Sequence, residues 1–474
     1  MSPVTATIRM YRLDELGDCF LLTFVSGAST TRMLIDCGSF RNGGPSVTRL
    51  KAIAASIKSE LAGLPLDVVV GTHQHNDHLS GFVHCEDVFR EIGVEQVWLS
   101  WLDDPSDATA KAIGRDYHNL KVQVAAARDA LHASLKRSRA VRPKATRTVE
   151  AMSDVLGFFG AAEPGTPPEL PADAVAILKN LGSRQPLYLQ PGHSFDLPGL
   201  PAGAVRVHVL GPPRDHDLLF RKDPRSGESY DPSLVAAGAM STRFLAAAAR
   251  STPTSREEEH YPFNDQYKMA EPTRGPGALH QVERRYRNRE AAWRTIDDDW
   301  MEQGETLALY LDTFTNNSSL VLALELVESR KVLLFVADAQ TGNWVSWKTV
   351  QWEQPGVTTD DLLARSVFYK VGHHASHNAT LVELFEKMNH PDLVALIPVH
   401  KKDPNITKPI SPWKMPAKNL FTHLVTKTDH RVLQMDNVNP AECDPAAEPA
   451  KAAWKRAGVA PRITPLSIEL DIVG

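Results

Sequence analysis

The residues best suited to chemistry in this sequence lie between positions 71 and 80, which read GTHQHNDHLS. The ligand-type residues His73, His75, Asp77 and His78 follow directly on the apolar run LDVVV. On an extended or turning backbone, side chains at positions i and i+2 point to the same side, so His73 and His75 are predicted to grip one ion together. Imidazole and carboxylate ligands suit zinc, and they also suit manganese or iron. The pattern predicts a metal site at the end of a buried strand.

The elements that must position these residues are predicted to alternate between strands and helices. TATIRMYRL, CFLLTFV and TRMLIDCG have strand patterns, residues 45–64 have helical spacing, and LDVVVGT is a buried strand that delivers His73. Strands resume in SSLVLALELV, KVLLFVADA and SVFYKVGHHAS, and LVELFEKMN is predicted to be a helix. Two mostly helical insertions, at about 104–186 and 214–305, interrupt this framework. In α/β folds, functional residues often follow the carboxyl end of a strand. Here the ligands follow the second strand of a strand–helix–strand unit.

Composition excludes several classes of protein. The chain has 474 residues, 42% of them hydrophobic and 23% charged, which is typical of a soluble globular protein. Its net charge of -5 argues against a protein that coats nucleic acid or an anionic membrane. Four cysteines without a CxxC pair argue against a disulfide framework. No secretory signal pattern and no apolar run of about 20 residues is seen, so we expect a cytoplasmic protein without membrane partners.

Several short motifs in order resemble the metallo-β-lactamase-fold hydrolases, whose signature is H-x-H-x-D-H after a strand. GDCFLL, MLIDCG, THQHNDHLSG, NNSSLVLALEL, LLFVADA and YKVGHHAS are similar to the hydrolase domain of ComEC-type competence proteins and to phosphorylcholine esterases. The resemblance covers roughly residues 1–100 and 190–435. It implies an α/β fold, an αββα sandwich with a metal site at one edge of two sheets. We therefore expect a hydrolase domain over 1–435 and a C-terminal extension, 436–474, packed on it.

The resemblance also implies where further ligands lie. Asp338 ends an apolar strand where the fold carries an acid that bridges two metals. His373 and His374 end another predicted strand, on which neighbours face opposite ways; we expect His374 to be the ligand and His373 the catalytic helper. His400, at the end of LVALIPVH, is an alternative late ligand.

Other polar residues have two interpretations each. Asp36 in MLIDCG either supports the histidine loop from behind, as in this fold, or caps the following turn. Ser376, Asn378 and Asn317 either touch an anionic substrate or cap turns.

The sequence departs from the related proteins in two respects. ELGD, ending in Asp18, replaces a glycine-rich GQGD-like turn. Many members of the wider fold have another histidine ligand before the bridging acid, and the candidates here have no convincing context: His84, His193, His208 and His216. The site is therefore expected to hold one or two zinc ions on a reduced ligand set.

The predicted chemistry is hydrolysis by a zinc-bound hydroxide, with Asp77 both ligating metal and orienting the nucleophile. A phosphodiester in a nucleic acid or nucleotide-like molecule is the favoured substrate, and the basic run at residues 136–147 would then give a polyanion an entry path. A small ester, lactone, thioester or lactam is the alternative, which a largely apolar pocket from the insertions would favour. A metal-stabilised binding module without catalysis ranks last.

Overall fold

The computed structural model describes residues 3–137, 143–221, 281, 284–285, 302–409 and 412–474 of the chain. These residues form a mixed α/β fold with two mixed sheets. The strands are β1 (Val4–Tyr11), β2 (Cys19–Ser26), β3 (Ser29–Cys37), β4 (Leu66–Val70), β5 (Val94–Ser100), β6 (Leu187–Leu189), β7 (Ser194–Asp196), β8 (Val205–Gly211), β9 (Val321–Leu326), β10 (Lys331–Phe335), β11 (Ser366–Lys370), β12 (Val394–Ile397), β13 (Val432–Gln434), β14 (Arg462–Ile463) and β15 (Ser467–Val473).

Helices connect and cover these strands. They are α1 (Gly44–Leu61), α2 (Asn76–His84), α3 (Glu86–Ile92), α4 (Ala108–Arg137), α5 (Pro143–Gly157), α6 (Leu170–Lys179), α7 (His216–Leu219), α8 (Glu302–Asn317), α9 (Thr341–Ser346), α10 (Thr359–Ala364), α11 (Val382–Phe385), α12 (Pro404–Thr407), α13 (Lys418–Lys427) and α14 (Ala450–Arg456). No helix in the described ranges is long and apolar enough to cross a membrane.

The two sheets share one design, an antiparallel part followed by a parallel part. The first has the order β14-β15-β1-β2-β3-β4-β5-β6, and the second β13-β12-β11-β10-β9-β8-β7. Pairing is parallel from β3 to β6 and from β10 to β13. Carboxyl ends of parallel strands meet at one edge of a sheet, so the segments after β3, β4, β10 and β11 are brought together there.

The sheets pack against each other through apolar side chains. The ring of Phe20 on β2 meets that of Phe335 on β10 edge to face, with centroids 5.7 Å apart. Both belong to a buried cluster that also contains Val69 on β4 and Phe368 on β11. A second buried cluster joins the other face of the second sheet to helices α4, α5 and α8, and burial of this apolar surface holds these helices over the sheet edge.

One expectation about local structure was wrong, and a second was confirmed only in part. The strand predicted to include HHAS ends at Lys370, and His373–Ala375 form a single 3₁₀ turn. The helix predicted in LVELFEKMN has four residues, Val382–Phe385. Both segments are apolar runs too short for periodicity to separate strand, turn and helix.

The predicted insertions are described in part. Helices α4, α5 and α6 lie within 104–186. Most of 214–305 lies outside the described residues, as do Arg139 and Arg142 of the basic run. At the C-terminus, β15 pairs with β1 along the first sheet.

Candidate metal centre

The H-x-H-x-D-H segment joins the end of β4 to the start of α2. β4 ends at Val70, and His75 is the residue immediately before the helix, so Asp77 lies in the first helical turn. Gly38, after β3, lies so close to this turn that a Cβ atom there would be 2.4 Å from the backbone of Asp77 and His78. The glycine therefore lets the helix start press against the sheet edge.

Ligand-type side chains from four segments converge behind this turn. Asp18, His78, Asp338 and His374 are buried, and one ligand atom from each lies within 4.8 Å of the others. Asp77 adjoins the same group, since its Oδ2 lies 2.9 Å from His374 Nε2. The structure thus contains a buried cluster of aspartates and histidines that could hold a metal ion.

Asp77 and His374 are 297 residues apart in the sequence, yet their side chains are in direct contact. His78 Nε2 lies 3.3 Å from Asp338 Oδ2 and 4.0 Å from Asp77 Oδ2, and His374 Nε2 lies 3.6 Å from Asp338 Oδ2. Ligand atoms about 2.0–2.1 Å from one tetrahedral zinc must lie roughly 3.3 Å apart. These separations fit an ion held by Asp77, His78, Asp338 and His374.

Unpaired buried atoms support this fit. Within the described part of the chain, His78 Nε2, Asp77 Oδ1 and Asp338 Oδ2 are buried without a hydrogen-bond partner, and so is His75 Nε2. A buried polar atom without a partner is costly. A cation bound among these atoms would supply the missing interaction.

The other nitrogen of each histidine in this cluster is already engaged, which leaves Nε2 for a ligand. His78 Nδ1 lies 2.7 Å from Asp36 Oδ2, and His374 Nδ1 lies 2.6 Å from the carbonyl of Pro398. Asp36 is itself held by the backbone N–H and hydroxyl of Thr72, at 2.9 and 2.6 Å. Of the two interpretations of Asp36, the contacts match the one in which it supports the histidine loop.

Lys370, the last residue of β11, was not singled out from the sequence and lies inside the cluster. Its ammonium donates to Asp18 Oδ2 at 2.5 Å, to Asp338 Oδ1 at 3.1 Å and to the carbonyl of Ala337 at 2.6 Å. The backbone N–H of His373 also donates to Asp338 Oδ1, at 3.0 Å. One oxygen of Asp338 is therefore fixed by the chain and the other points at the histidines.

Asp18 and Asp77 are alternative carboxylate ligands for an ion at this cluster, and the geometry favours Asp77. The nitrogens that Asp18 faces are the Nδ1 atoms of His78 and His374, at 3.8 and 3.9 Å, and both are engaged elsewhere. Its Oδ2 already accepts from Lys370. Asp18 is thus placed to orient Lys370 and, through it, Asp338.

His73 and His75 form a second group beside this cluster. His73 Nε2 lies 3.2 Å from His75 Nδ1, and the His73 ring lies 4.1 Å from the His78 ring between centroids. His73 Nδ1 contacts the Thr72 hydroxyl at 3.1 Å, and its Nε2 is the nitrogen that faces His75. The 3.2 Å separation also suits two ligands of one ion, as the sequence pattern predicted. Among the described residues, no group of three or more converging ligand-type side chains includes this pair.

The turn at His373–Ala375 sets the two adjacent histidines apart. His373, His374 and Ala375 have φ of 44°, 49° and 61°, a left-handed conformation that costs a non-glycine residue of order 1–3 kcal/mol. His374 enters the cluster, whereas His373 Nδ1 lies 2.7 Å from the hydroxyl of Ser376. That hydroxyl in turn donates to Asn378 Oδ1 at 2.8 Å. Ser376 and Asn378 thus orient His373.

Residues of the helical cover approach His373 from the opposite side. The Asn316 amide on α8 lies 3.4 Å from His373 Nε2 and donates to Asp312 Oδ2 at 3.1 Å. The Gln340 amide lies 3.1 Å from His373 Nδ1. Asp312 Oδ1 lies 3.8 Å from His75 Nε2. None of Asp312, Asn316 and Gln340 was predicted as a site residue, although Asn316 begins the motif NNSSLVLALEL, because only the tertiary fold brings them here.

The pKa values of the histidines at this site are shifted in two directions. Burial lowers the pKa of His75 to about 3 and that of His373 to about 4, and it lowers the pKa of His73 well below the usual value. Burial also opposes charge on His374, but Asp338 and Asp77 outweigh it and raise its pKa to about 9. The pKa of His78 is raised well above the usual value for a similar reason. The carboxylates therefore attract positive charge, whether a proton or a metal ion.

Several predicted candidates lie outside this cluster. The Asn317 amide donates to the backbone carbonyls of Leu219 and Arg221 at 3.2 and 2.9 Å, which is a structural role. His400 follows β12 and is not among the converging residues. The intermediate histidines bond elsewhere or are exposed: His84 to Asn42, His193 near Glu353, His208 to Ser194 and Glu325, and His216 near Asp217.

A cavity of about 210 Å³ reaches His73, beside the cluster, from the side of the insertion. His73 and Gln74 form its inner end, and Ile113, Tyr117 and His118 of α4 line it. Most of the lining surface is apolar, to which Leu102, Ala172 and Phe314 contribute, and Asp103 and Lys121 are the charged members. The insertion therefore covers the site and shapes its approach.

No protein-family model matches this chain, and no curated protein sequence matches it. The functional conclusion therefore depends on the site itself.

Proposed function

We propose that this protein is a metal-dependent hydrolase that acts on small anionic phosphodiesters. The observation that carries the proposal is the convergence of the buried carboxylates of Asp77 and Asp338 on His78 Nε2, where His78 Nε2, Asp77 Oδ1 and Asp338 Oδ2 have no hydrogen-bond partner among the described residues. His374 contacts the same carboxylates through Nε2. Four protein ligands leave room for water as a fifth ligand, to which catalytic zinc can expand, and the neighbouring pair His73 and His75 would leave further positions open.

We assign the two packed sheets with outer helices to the αββα sandwich of metallo-β-lactamase-fold hydrolases, most like the ComEC-type branch. The support is the order of the motifs together with the position of their residues at one edge of both sheets. Asp338 and His374 then belong to the second sheet, and the H-x-H-x-D-H segment to the first.

Zinc is the favoured ion, held by Asp77, His78, Asp338 and His374, with a second, weaker position at His73 and His75. A bound divalent ion would lower the pKa of a ligated water to about 7 and polarise the bond under attack. The second position has two imidazoles from the chain, and among the described residues no group of three or more converging ligand-type side chains includes them. We therefore propose one tightly held ion and one that dissociates readily.

The chain's own residues have distinct tasks in this proposal. Asp77 Oδ1 is buried and unpaired, so it can accept a proton from the attacking water. Ser376 and Gln340 fix the ring of His373, which faces the helical cover and can touch the substrate. Asp36 and Lys370 hold His78 and Asp338 in place.

Burial and cavity size favour a small substrate. His75, Asp77, His78 and His374 have no exposed surface, and the cavity of about 210 Å³ takes only part of a drug-sized molecule. A phosphodiester keeps one negative charge. That charge suits a metal ion bound at the cluster and the ammonium of Lys121 in the cavity lining. Hydrolysis of a small ester or lactam is the second candidate, favoured by the apolar residues that line most of the cavity.

The test compares wild-type protein with the double variant His75→Ala, Asp77→Ala. Both are loaded with zinc or manganese and assayed on bis-p-nitrophenyl phosphate, single- and double-stranded DNA, RNA and a chromogenic lactam. We expect cleavage of the small phosphodiester by the wild type and its loss in the double variant. His84→Ala is the control, because His84 lies on the same helix and bonds Asn42 instead of the cluster.

Each outcome separates the candidates. Cleavage of the lactam alone would favour the second candidate, and cleavage of nucleic acid alone would overturn the small-substrate proposal. Absence of metal binding and of every activity would overturn hydrolysis altogether.

A further inference from the structure

Lys121 on α4 is a buried cation that the candidate metal centre does not use. It is 3% exposed and lines the same cavity as His73. Among the described residues, no hydrogen bond or ion pair reaches its ammonium. Lysine is rarely this buried without a partner, because a desolvated ammonium is costly.

Aromatic rings hold the ammonium in position. It lies 5.8 Å from the Tyr117 ring centroid and 5.7 Å from that of Phe159. The Tyr117 hydroxyl is bonded to Thr315, so the ring itself is fixed. Two cation–π contacts stabilise the charge in part and leave its hydrogen-bond donors available.

The same ring of Phe159 ties Lys121 to the candidate metal centre. The His75 ring lies against it, with centroids 5.1 Å apart. A substrate whose reacting group lies at His73, the inner end of the cavity, would therefore extend toward Lys121, which lines the same cavity. The group that contacts the Lys121 ammonium would then be another part of the same substrate molecule.

The carboxylates nearest Lys121 leave its ammonium without a fixed partner. Glu169 and Asp173 act on it electrostatically without forming an ion pair. Asp103, the carboxylate in the cavity lining, is engaged by the Gln74 amide at 2.7 Å. The ammonium is thus the one cationic donor of this cavity, among the residues that the structure describes, without a fixed partner.

We propose that Lys121 is a specificity-determining residue that binds a second anionic group, a phosphate or a carboxylate, of the substrate. This inference rests on the proposed function and names the substrate class more closely: a small phosphodiester with a further negative charge beside the reacting one. The insertion would then determine substrate specificity, and the residues at the sheet edge would carry out hydrolysis.

The test uses three p-nitrophenyl phosphodiesters that differ only in the second ester group, which is propyl, carboxypropyl or phosphonopropyl. We expect KM to be roughly 10-fold to 100-fold lower for the anionic esters than for the propyl ester, the range of one charge-assisted hydrogen bond. Lys121→Met should abolish this preference, and Lys121→Arg should retain part of it. Metal content and thermal melting of each variant are measured in parallel.

Arg115→Met is the matched control, because it removes a positive charge from the same helix and the Arg115 side chain is 73% exposed. It should keep the preference. A preference for phosphonopropyl over carboxypropyl would identify phosphate as the second group, and the reverse would identify carboxylate. Equal KM for all three esters in the wild type, or a preference that survives Lys121→Met, would overturn the inference.

Failure of the proposed function gives a different result. In that case the wild type cleaves none of the three esters, and their binding is measured by calorimetry instead. Tighter binding of an anionic ester that disappears in Lys121→Met would keep the anion subsite, and equal binding would overturn it.

Discussion

At the scale of single residues, the candidate centre depends on which nitrogen of each histidine is held by the chain. Asp36 accepts from His78 Nδ1, and the carbonyl of Pro398 accepts from His374 Nδ1, so both Nε2 atoms point into the cluster. Such outer partners fix the tautomer and raise the basicity of a ligand. Asp36 therefore matters for metal binding although it touches no metal.

Asp36→Asn tests this role. The amide keeps the shape but loses the charge, and we expect the metal affinity to fall by roughly 10-fold to 100-fold. Competition with a chromogenic chelator measures the affinity. Asp67→Asn is the control, because Asp67 also accepts a backbone N–H, that of Arg32, away from the cluster. An unchanged affinity in Asp36→Asn would contradict the assignment.

The charge of Lys121 gives a second prediction at this scale. Burial lowers the pKa of Lys121 to about 8, although Glu169 and Asp173 act in the opposite direction. The side chain is charged below this pH and neutral above it. The ratio of kcat/KM for the carboxypropyl and propyl esters should therefore fall as pH rises through about 8, and titration of groups common to both reactions cancels in this ratio.

Lys121→Arg provides the control for the pH profile, because arginine stays charged up to about pH 12. Its ratio should stay constant over the same range. A wild-type ratio that does not change with pH would count against Lys121 as the anion-binding residue.

At the scale of elements, the site depends on close contact between the turn after β3 and the start of α2. Gly38 has no room for a side chain, since a Cβ atom would lie 2.4 Å from the backbone of Asp77 and His78. Gly38→Ala must displace the helix start, and overpacking of this kind typically costs about 1–3 kcal/mol. Urea unfolding should show that loss of stability, together with weaker metal binding.

Gly44→Ala is the matched control for this prediction. Gly44 begins α1, and a Cβ atom there meets nothing within 4 Å. Alanine favours helix over glycine, so stability should stay the same or rise slightly. Equal stability of the Gly38 and Gly44 variants would show that the contact has no energetic role.

The secondary-structure elements that carry the site residues determine how much of the site could be predicted from the sequence. The segment from His73 to His78 was visible because its ligands are local and follow a recognisable strand. The left-handed turn at His373–Ala375 contains no glycine to indicate it, and a strand was predicted instead. Asp18 and Lys370 were quoted within motifs but meet only because two sheets pack together, a long-range event that periodicity does not encode.

At the scale of the whole molecule, the cluster contains residues from both sheets. A bound cation would stabilise its buried carboxylates. A metal that binds only the folded chain stabilises it by about 4 kcal/mol at roughly 1,000 times its Kd. Chelation should therefore lower the thermal midpoint, and added zinc should restore it. Asp338→Ala, which removes the acid between His78 and His374, should show a much smaller response to zinc than the wild type.

The most direct test of the central claim is the zinc content of the purified chain after zinc loading and dialysis, measured by mass spectrometry for wild type and Asp338→Ala. We predict about one tightly retained zinc per wild-type chain, a second that is retained only at higher free zinc, and loss of the tight ion in a variant that remains folded by circular dichroism. Wild-type protein that retains no zinc, manganese or iron, or a variant that retains as much as the wild type, would contradict the account.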